Sequence, residues 1–409
     1  MNDSERFVSI TNEEMHDLLE TSTPENTRKR DKWAMNILST WNTWRKKQWA
    51  ENGGACIVLR DFDEMCKEDL DFVLQEFIPS IRKEDKSEYP PSSLRSIVSG
   101  IFSHFRRVLN RHWDFFKDVE FSKSRAVLDA KMRQLTRAGH CGVRRKAEPI
   151  SQKMEDTMWS SGILGDDNPK KLLHTVLYML GVHFALRSRS EHRALRFGKN
   201  SQLQLLVKDG VECLQYREDC SKTRQGGLKD RFVEPKEGIV FSDGLVDSKR
   251  DLVLLYKKYV SHRPTNTKTD AFYLRPLANP KGDIWYCDQA VGVNMIAQVV
   301  KNLTSNIDSS GYFTNHSLRR TCVSRLNQAG IPIEGVKKKT GHRTTEGVMS
   351  YDVVSEAQLS AQSAAIYGVT NVENAKSTSK TSFQDQSSVK GLLEGASFHN
   401  CSINFNIYN

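Results

Sequence analysis

The chain lacks the marks of several protein classes. Its eight cysteines include no Cys-x-x-Cys pair, which argues against a zinc site and a disulfide framework and suits a reducing compartment. No run of about 18 apolar residues is present, so we expect no membrane span. The polar opening residues argue against a signal peptide, and no Gly-rich loop of the kind that cradles nucleotide phosphates is found. We therefore expect no metal, no nucleotide cofactor and no membrane partner.

The charge balance favours a polyanionic partner. The chain has 409 residues, enough for two domains with cores of their own. It carries 60 Lys and Arg against 50 Asp and Glu, which gives a formal net charge of +10 at pH 7. Two short basic clusters, at 28–30 and 144–146, are compatible with nuclear entry, although a solvated or DNA-facing surface is the stronger interpretation of each.

Residues 27–139 show the apolar periodicity of helices. Trp33, Ile37, Trp41 and Trp44 recur at helical spacing, which predicts that their side chains are buried along one helix. The remaining periodic segments of this region predict helices over 69–81, 94–112 and 124–138. Four amphipathic helices of this kind predict a helical domain.

Composition divides the rest of the chain. Residues 1–26 are polar and are expected to be loose, with a short helix over 13–19 as the alternative. Residues 140–150, rich in Arg, Lys and Gly, are expected to form a linker. The second domain is expected over 151–367. Residues 368–409 form a polar tail, whose stretch 398–407 alternates apolar and polar residues like a strand.

The most informative motif lies near the C-terminus. His316 and Arg319 are three residues apart, His342 follows 23 residues after that Arg, and Tyr351 follows nine residues after that His. A phenol with a pKa near ~10 is a poor nucleophile unless its proton is removed and the developing charge is held. An arginine suits a phosphate oxygen because its planar fork stays charged and donates two parallel hydrogen bonds. The combination predicts phosphodiester cleavage by a tyrosine.

From about Thr314 to Tyr367 the chain resembles the C-terminal half of the catalytic domain of tyrosine recombinases, the phage integrase family. The family motifs HxLRxT and LLGH match 316–321 and 339–342, and the distal tyrosine matches Tyr351. The resemblance is closest to the recombinases of Crypton transposons and the animal proteins derived from them. Together with the N-terminal helices it covers roughly residues 30 to 365.

The resemblance implies a first catalytic arginine after a buried helix, and Arg187 is the match. Ala185 stands where the family usually has glycine, and Ser190 stands where a supporting carboxylate is common, so Glu191 is the candidate to replace that carboxylate. The alternatives for the arginine are Arg189 and Arg193.

The resemblance also implies a lysine near a β-hairpin as general acid. Two strands, 203–208 and 211–216, flank an Asp-Gly turn, which predicts a hairpin. Lys222 is our choice, because it precedes glycines that would let a mobile loop enter the minor groove. Lys229 is the competing candidate, and a flexible charged turn without a role is the third reading.

The family resemblance further implies a role for each motif residue. Tyr351 would attack the phosphorus, and Arg187 and Arg319 would hold the non-bridging oxygens. His316 would accept the phenolic proton, and His342 would hydrogen-bond the same phosphate. No metal or nucleotide takes part in this chemistry.

The implied fold is mainly α with a small β-hairpin sheet, an α+β chain with a helical core-binding (SAM-like) domain and a tyrosine recombinase catalytic domain. The implied function is a site-specific DNA recombinase or transposase that cleaves and rejoins duplex DNA through a 3′-phosphotyrosyl intermediate. We expect it in the nucleus, as a tetramer on two duplexes. The alternatives are a catalytically silent DNA-binding descendant acting in transcription or chromatin, and a type IB topoisomerase.

Basic residues outside the motif are the expected DNA contacts, with a solvated face as the alternative for those on the N-terminal helices. The helix over 94–112, with Ser92 or Ser93 as its expected N-cap, supplies several of them. The expected DNA-binding residues are Arg95, Arg106, Arg107, Lys131, Arg133, Arg144, Arg145, Lys146, Arg224, Arg320 and Arg343.

Overall fold

The computed structural model describes residues 7–51, 61–62, 64–140, 145–219, 227–228, 231, 234–244, 247–308, 310–351 and 356–367. The chain divides into two compact units, residues 1–144 and 145–409. Each unit has a hydrophobic core of its own. Helices predominate, and the described strands form two small antiparallel sheets. The prediction of a mainly helical α+β chain is confirmed.

The described part of the first unit is helical. Its α-helices are α1 (Asn12–Ser22), α2 (Glu25–Glu51), α3 (Lys67–Ser80), α4 (Pro91–Arg107) and α5 (Ser122–Arg137). Helix α2 packs along α4, and α3 packs along α5. A side chain at Gly100 of α4 would place its Cβ 2.7 Å from the Cβ of Ala34 on α2. The absence of a side chain at this position therefore allows the two helices to approach closely.

The tryptophan stripe of α2 does not face the core as predicted. Trp41 is buried, but Trp33 is 41% exposed and Trp44 is 54% exposed. The buried stripe of the helix runs instead through Ala34 and Leu38, on the side turned to α4. The close approach at the small residues selects that face, so most of the tryptophan stripe is left at the edge of the bundle.

The prediction for the start of α4 was also wrong. Pro90 is the N-cap residue and makes no side-chain hydrogen bond to the helix, so neither Ser92 nor Ser93 caps it. Pro91 occupies the first turn, where a missing N–H costs nothing because that donor has no partner in a helix anyway. The helix ends at Arg107, earlier than the predicted end at residue 112.

The second unit combines helices with both sheets. Its α-helices are α6 (Gln152–Ser160), α7 (Pro169–His183), α8 (Ser188–Ala194), α9 (Leu252–Ser261), α10 (Val293–Thr304), α11 (Asn315–Gln328), α12 (Ile333–Thr340), α13 (Thr345–Met349) and α14 (Glu356–Ile366). Its strands are β1 (Leu203–Lys208), β2 (Val211–Arg217), β3 (Glu237–Phe241), β4 (Leu274–Lys281) and β5 (Ile284–Ala290). The sheet orders are β1-β2-β3 and β4-β5.

The predicted hairpin is confirmed. Strand β1 pairs antiparallel with β2, from Leu203 opposite Tyr216 to Lys208 opposite Val211. Asp209 and Gly210 between them have φ angles of +51° and +78°. Two successive positive φ values define the type I′ turn that an Asp-Gly pair favours. Strand β3 then adds to β2, which brings the residue before it, Lys236, toward the end of α7.

Helix α7 is the central helix of the second unit, and helix α11 packs directly against it. Nearly every residue of α7 is buried. A Cβ at Gly181 would lie 2.3 Å from Cδ1 of Leu318, so a larger residue at this position would push the two helices apart. On the same interface, the hydroxyl of Tyr178 and the guanidinium of Arg325 both donate to Glu155, at 2.7 and 2.6 Å. This packing fixes α11, and with it Arg319, against the end of α7.

The C-terminal residues 368–409 lie outside the described residues, and with them the strand predicted over 398–407. No helix in the described part of the chain is long and apolar enough to cross a membrane.

Candidate active site

The backbone at the end of α7 is the first element of the site. Ala185 has a φ of +46°, a left-handed conformation that costs a residue with a Cβ about 1 kcal/mol or more. Glycine adopts it freely, which gives a physical reason for the family's glycine at this position. The strained turn exposes the Ala185 carbonyl to two donors, Arg319 Nη1 at 2.7 Å and Lys236 Nζ at 3.2 Å.

Arg187 follows this turn and is held by Glu191. Its backbone N–H donates to Glu191 Oε2 at 2.7 Å, and its Nε lies 3.6 Å from Oε1. Its Nη2 donates to the Gly341 carbonyl at 3.4 Å. Glu191 also lies 3.9 Å from Lys236 Nζ. Glu191 is therefore the carboxylate that supports Arg187 in the structure. The alternative arginines, Arg189 and Arg193, are exposed.

Arg319 is the most deeply buried cation of the site. Only 1% of its surface is exposed, and among the described residues no carboxylate pairs with it. Its Nη1 donates to Ala185 and its Nη2 to His342 Nε2 at 3.0 Å, while its Nε has no hydrogen-bond partner within the described structure. Burial, followed by the charge of Arg187, lowers the pKa of this guanidinium. A buried cation with an unused N–H is costly unless an anion binds to it.

His342 lies between Arg319 and Thr340. Its Nδ1 is 2.7 Å from Thr340 Oγ1. Burial, then the charges of Arg319, Arg187 and Lys236, lowers the pKa of this imidazole to about 3. His342 is therefore neutral at pH 7. The preceding residue, Gly341, ends α12 in a left-handed conformation with a φ of +72°, which turns the chain toward the site.

Tyr351 is half-buried and lies against the same groups. Its ring centroid is 5.0 Å from that of His342, with the ring planes 51° apart. The guanidinium carbons of Arg319 and Arg320 lie 5.6 and 6.0 Å from the Tyr351 ring. The ring also packs on the small cluster formed by Val323, Val336 and Val348. The structure therefore brings Arg187, Arg319, His342 and Tyr351 into one site.

His316 is exposed, and its side chain makes no hydrogen bond to those predicted catalytic residues that the structure describes. It lies in the first turn of α11, where its backbone N–H donates to the N-cap Thr314. Partial enclosure of its ring, then the charges of Arg319 and Arg320, lowers the pKa of His316. An imidazole that is open to solvent, near these cations and able to lose its proton readily, keeps the chemistry expected of a proton acceptor.

The predicted general acid lies outside the described residues, as do its competitor and two predicted DNA contacts. These are Lys222, Lys229, Arg144 and Arg224. The described end of the same loop supplies a lysine that the sequence analysis missed. Lys236 is 2% exposed, directly precedes β3 and bonds the carbonyl that Arg319 also bonds. No sequence signal distinguishes it, because its burial depends on how β3 pairs with β2.

The lowered pKa of Lys236 predicts how the stability of the fold depends on pH. Burial lowers it from its ordinary 10.5 to about 8, against the opposing effect of Glu191. Between pH 8 and pH 10.5 the unfolded chain binds more protons than the folded one, so the free energy of unfolding rises with pH. Below pH 8 the folded chain bears the full cost of burying the charged lysine, about 3 kcal/mol. We expect Lys236→Met to raise the free energy of unfolding at pH 7 by about 1–3 kcal/mol and to flatten its rise toward pH 10.

Urea unfolding of the full chain at pH 7 and pH 10 measures this effect. Lys257→Met is the matched control, because Lys257 is about 42% exposed and pairs with Glu212 at the surface. It should change stability by less than about 0.5 kcal/mol at either pH. A Lys236→Met chain that is less stable than wild type at pH 7 would show that the contacts of this lysine outweigh the cost of its burial.

The predicted DNA-contact residues fall into two groups. Arg107 and Lys131 are engaged in internal ion pairs, with Glu20 at 3.1 Å and Glu88 at 2.8 Å, and Arg320 is buried beside the Tyr351 ring. These three cations are therefore not free surface charges. The others are exposed or lie at the surface, namely Arg95, Arg106, Arg133, Arg145, Lys146 and Arg343.

Comparison with known proteins gives the following matches. A family model described as "Domain of unknown function (DUF3504)" matches residues 149–305. The human "Uncharacterized protein KIAA1958" is 29% identical over 307 residues, which cover 72% of this chain and 40% of that protein. Mouse "Zinc finger MYM-type protein 2" is 23% identical over 248 residues, covering 57% of this chain and 17% of that protein. The matched region thus spans less than half of either relative.

Two solved structures align with most of this chain at low sequence identity. The XerH site-specific recombinase, bound to a palindromic difH substrate, aligns with a TM-score of 0.44 at 12% identity, over 72% of this chain and 69% of that one. The Tn1549 transposon integrase, in complex with transposon right-end DNA, aligns with a TM-score of 0.44 at 14% identity, over 84% and 95%.

Among the described residues, no group of three or more His, Cys, Asp and Glu side chains is arranged to hold a metal ion.

Proposed function

We propose that the chain cleaves and rejoins duplex DNA through a covalent link between Tyr351 and a 3′ phosphate, as a recombinase or transposase. The observation that carries this proposal is Arg319, a guanidinium buried beside a tyrosine ring with no carboxylate partner among the described residues. Its unpartnered Nε, with Arg187 and Lys236 close by, makes the site electropositive. A phosphodiester anion at this position would satisfy the unused donors and balance the charge.

In the proposed reaction the phenolic oxygen of Tyr351 forms a bond to phosphorus, and the bond from phosphorus to the 5′ oxygen breaks. The phenolic proton passes to His316, which is open to solvent and lies near Arg319. Arg187 and Arg319 hold the non-bridging oxygens, where negative charge accumulates in the pentacoordinate state. The phosphotyrosyl ester conserves the bond energy, so rejoining needs no nucleotide.

The leaving 5′ oxygen needs a proton, which a positioned acid supplies with a gain of about 10²- to 10⁴-fold. Lys222 remains the proposed acid. Lys236 is a second candidate, because its pKa of about 8 makes its ammonium a readier proton donor than an ordinary lysine. Its contacts with Ala185 and Glu191 hold it within the same site.

The proposed partner is duplex DNA, bound by the exposed basic residues of both units, and the proposed assembly is a tetramer on two duplexes in the nucleus. A second candidate function is binding without cleavage, in transcription or chromatin. The observation that favours it is the exposed position of His316, whose side chain makes no hydrogen bond to Tyr351, Arg319 or His342. If no contact positions His316 against the phenol when DNA binds, the site would hold a phosphate without completing proton transfer.

The test uses suicide substrates, duplexes nicked next to the cleavage position so that the product cannot be rejoined. The full chain is incubated with an end-labelled pool of such duplexes in EDTA and without ATP, then denatured in SDS. We expect label that migrates with the 46.7 kDa chain and is lost on protease treatment. Duplex binding that falls steeply with salt but yields no adduct would favour the binding-only function. Relaxation of supercoiled plasmid by the same chain would identify the topoisomerase alternative.

A further inference from the structure

We propose that Thr340 is a positioning residue that fixes the tautomer of His342, so that His342 orients Arg319 as a hydrogen-bond acceptor instead of donating to the phosphate. This inference rests on the proposed function, because it concerns the arginine that would hold the scissile phosphate. Thr340 stands where the motif LLGH of the resembled family has its second leucine. A leucine has no hydroxyl, so the contact described here depends on the residue found in this chain.

The tautomer of His342 follows from which of its neighbours can donate and which can accept a hydrogen bond. A guanidinium has only N–H donors, so His342 Nε2, 3.0 Å from Arg319 Nη2, must be the acceptor. A neutral imidazole carries one proton, which must then lie on Nδ1. In the imidazolium both nitrogens would donate, so Nε2 would face another donor, Arg319 Nη2. Burial, then the charge of Arg319, lowers the pKa of His342 to about 3, which also favours the neutral ring.

Thr340 accepts from that proton. Its Oγ1 lies 2.7 Å from His342 Nδ1 and 2.6 Å from the Val336 carbonyl, one turn earlier in α12. A hydroxyl has a single proton, and the carbonyl can only accept it. The chain of donors therefore runs in one direction, from His342 Nδ1–H to Thr340 and from the Thr340 hydroxyl to Val336. Thr340 is itself fully buried, so neither bond competes with solvent.

The consequence for Arg319 is a fixed orientation. The Ala185 carbonyl accepts from Nη1 and His342 accepts from Nη2, so two acceptors on different elements hold the guanidinium plane. The N–H groups that remain include Nε, which is buried and has no hydrogen-bond partner among the described residues. If His342 carried its proton on Nε2, that proton would face Arg319 and would drive the guanidinium out of this plane. A donor role of His342 toward the phosphate through Nε2 would require the other tautomer, in which Nε2 carries the proton.

The direct test is the tautomer itself. The full chain is labelled with ¹⁵N-histidine, and long-range ¹H–¹⁵N correlations distinguish a protonated ring nitrogen from an unprotonated one. Loss of the signal in His342→Gln assigns the resonance. We expect Nδ1–H in the wild type and in Thr340→Ser, which keeps the hydroxyl. We expect Thr340→Val to show Nε2–H or a mixture of tautomers, because valine has a similar shape but no acceptor.

Thr304→Val is the matched control. Thr304 is also buried, and its hydroxyl also donates to the carbonyl one turn earlier, Val300 at 3.0 Å. Among the described residues its hydroxyl makes no hydrogen bond to a histidine. It should leave the His342 tautomer unchanged. An Nε2–H tautomer in the wild type, or an Nδ1–H tautomer that persists unchanged in Thr340→Val, would overturn the inference.

The adduct assay supplies the functional readout. Thr340→Val is expected to slow adduct formation about 10- to 100-fold, as loss of an orienting partner commonly does, while Thr340→Ser and Thr304→Val stay near the wild-type rate. Equal rates in Thr340→Val and wild type would contradict a positioning role. The tautomer measurement needs no DNA. A wild type that forms no adduct but shows the expected tautomers would therefore refute the proposed reaction and leave the role of Thr340 in orienting Arg319 intact.

Discussion

Tyr351→Phe is expected to abolish the SDS-resistant protein–DNA adduct and to leave duplex binding within about twofold of wild type. The substitution removes only the phenolic oxygen, which is the attacking atom, and no water or neighbouring side chain restores a covalent link to the chain. The ring keeps its packing on Val323, Val336 and Val348, so the fold should not change. The electropositive groups that attract the phosphate are also retained.

The measurement compares wild type and Tyr351→Phe on the same nicked duplexes, with binding followed separately by a gel-shift titration. Tyr367→Phe is the matched control, because Tyr367 lies 16 positions further along and is 83% exposed. It should form adduct at the wild-type rate. Adduct formation by Tyr351→Phe at the wild-type rate would mean that another residue is the nucleophile.

The elements that the sequence predicted well are those that local chemistry determines. The Asp209-Gly210 pair allows two successive positive φ values, so its hairpin follows from the turn residues alone. The start of helix α7 is set in the same way, because its apolar run follows a capping Asn168 and a proline. The grouping of Arg187, Arg319, His342 and Tyr351 was expected from the resemblance to tyrosine recombinases and not from local chemistry.

The features that the sequence did not predict depend on contacts between distant segments. Trp33 and Trp44 have helical spacing, yet the approach of Gly100 to Ala34 decides which stripe of α2 is buried. The sequence predicts Lys131 as a surface charge, but Glu88, in the segment before α4, pairs with it at 2.8 Å.

Lys236 is the clearest example within the site. It lies in a charged stretch whose sequence predicts a solvated loop. The pairing of β3 with β2 places it within hydrogen-bond distance of the Ala185 carbonyl. Thr340 is similar, because the motif alone does not show that its hydroxyl reaches His342. Periodicity reports which side of a helix is apolar, but not which polar groups from other elements meet there.

Arg319→Lys is expected to lower the rate of adduct formation by about 10²- to 10³-fold, the loss typical of one donor that stabilises developing charge. An ammonium keeps the charge but not the geometry. The guanidinium binds Ala185 and His342 through two different nitrogens and still has N–H groups for the phosphate. A lysine has one nitrogen and cannot reach both acceptors and present a parallel pair of donors.

The control is Arg189→Lys, an exposed arginine two positions from Arg187 and one of the alternatives for the first clamp. It should form adduct at close to the wild-type rate. If the rate of adduct formation by Arg319→Lys stays within about twofold of wild type, a positive charge alone suffices at this position. The hydrogen bonds of the guanidinium to Ala185 and His342 would then make no contribution to catalysis. If the rate falls as expected while DNA binding is unchanged, the geometry set by Ala185 and His342 acts in the transition state. A contact made equally in the ground state would have weakened DNA binding as well.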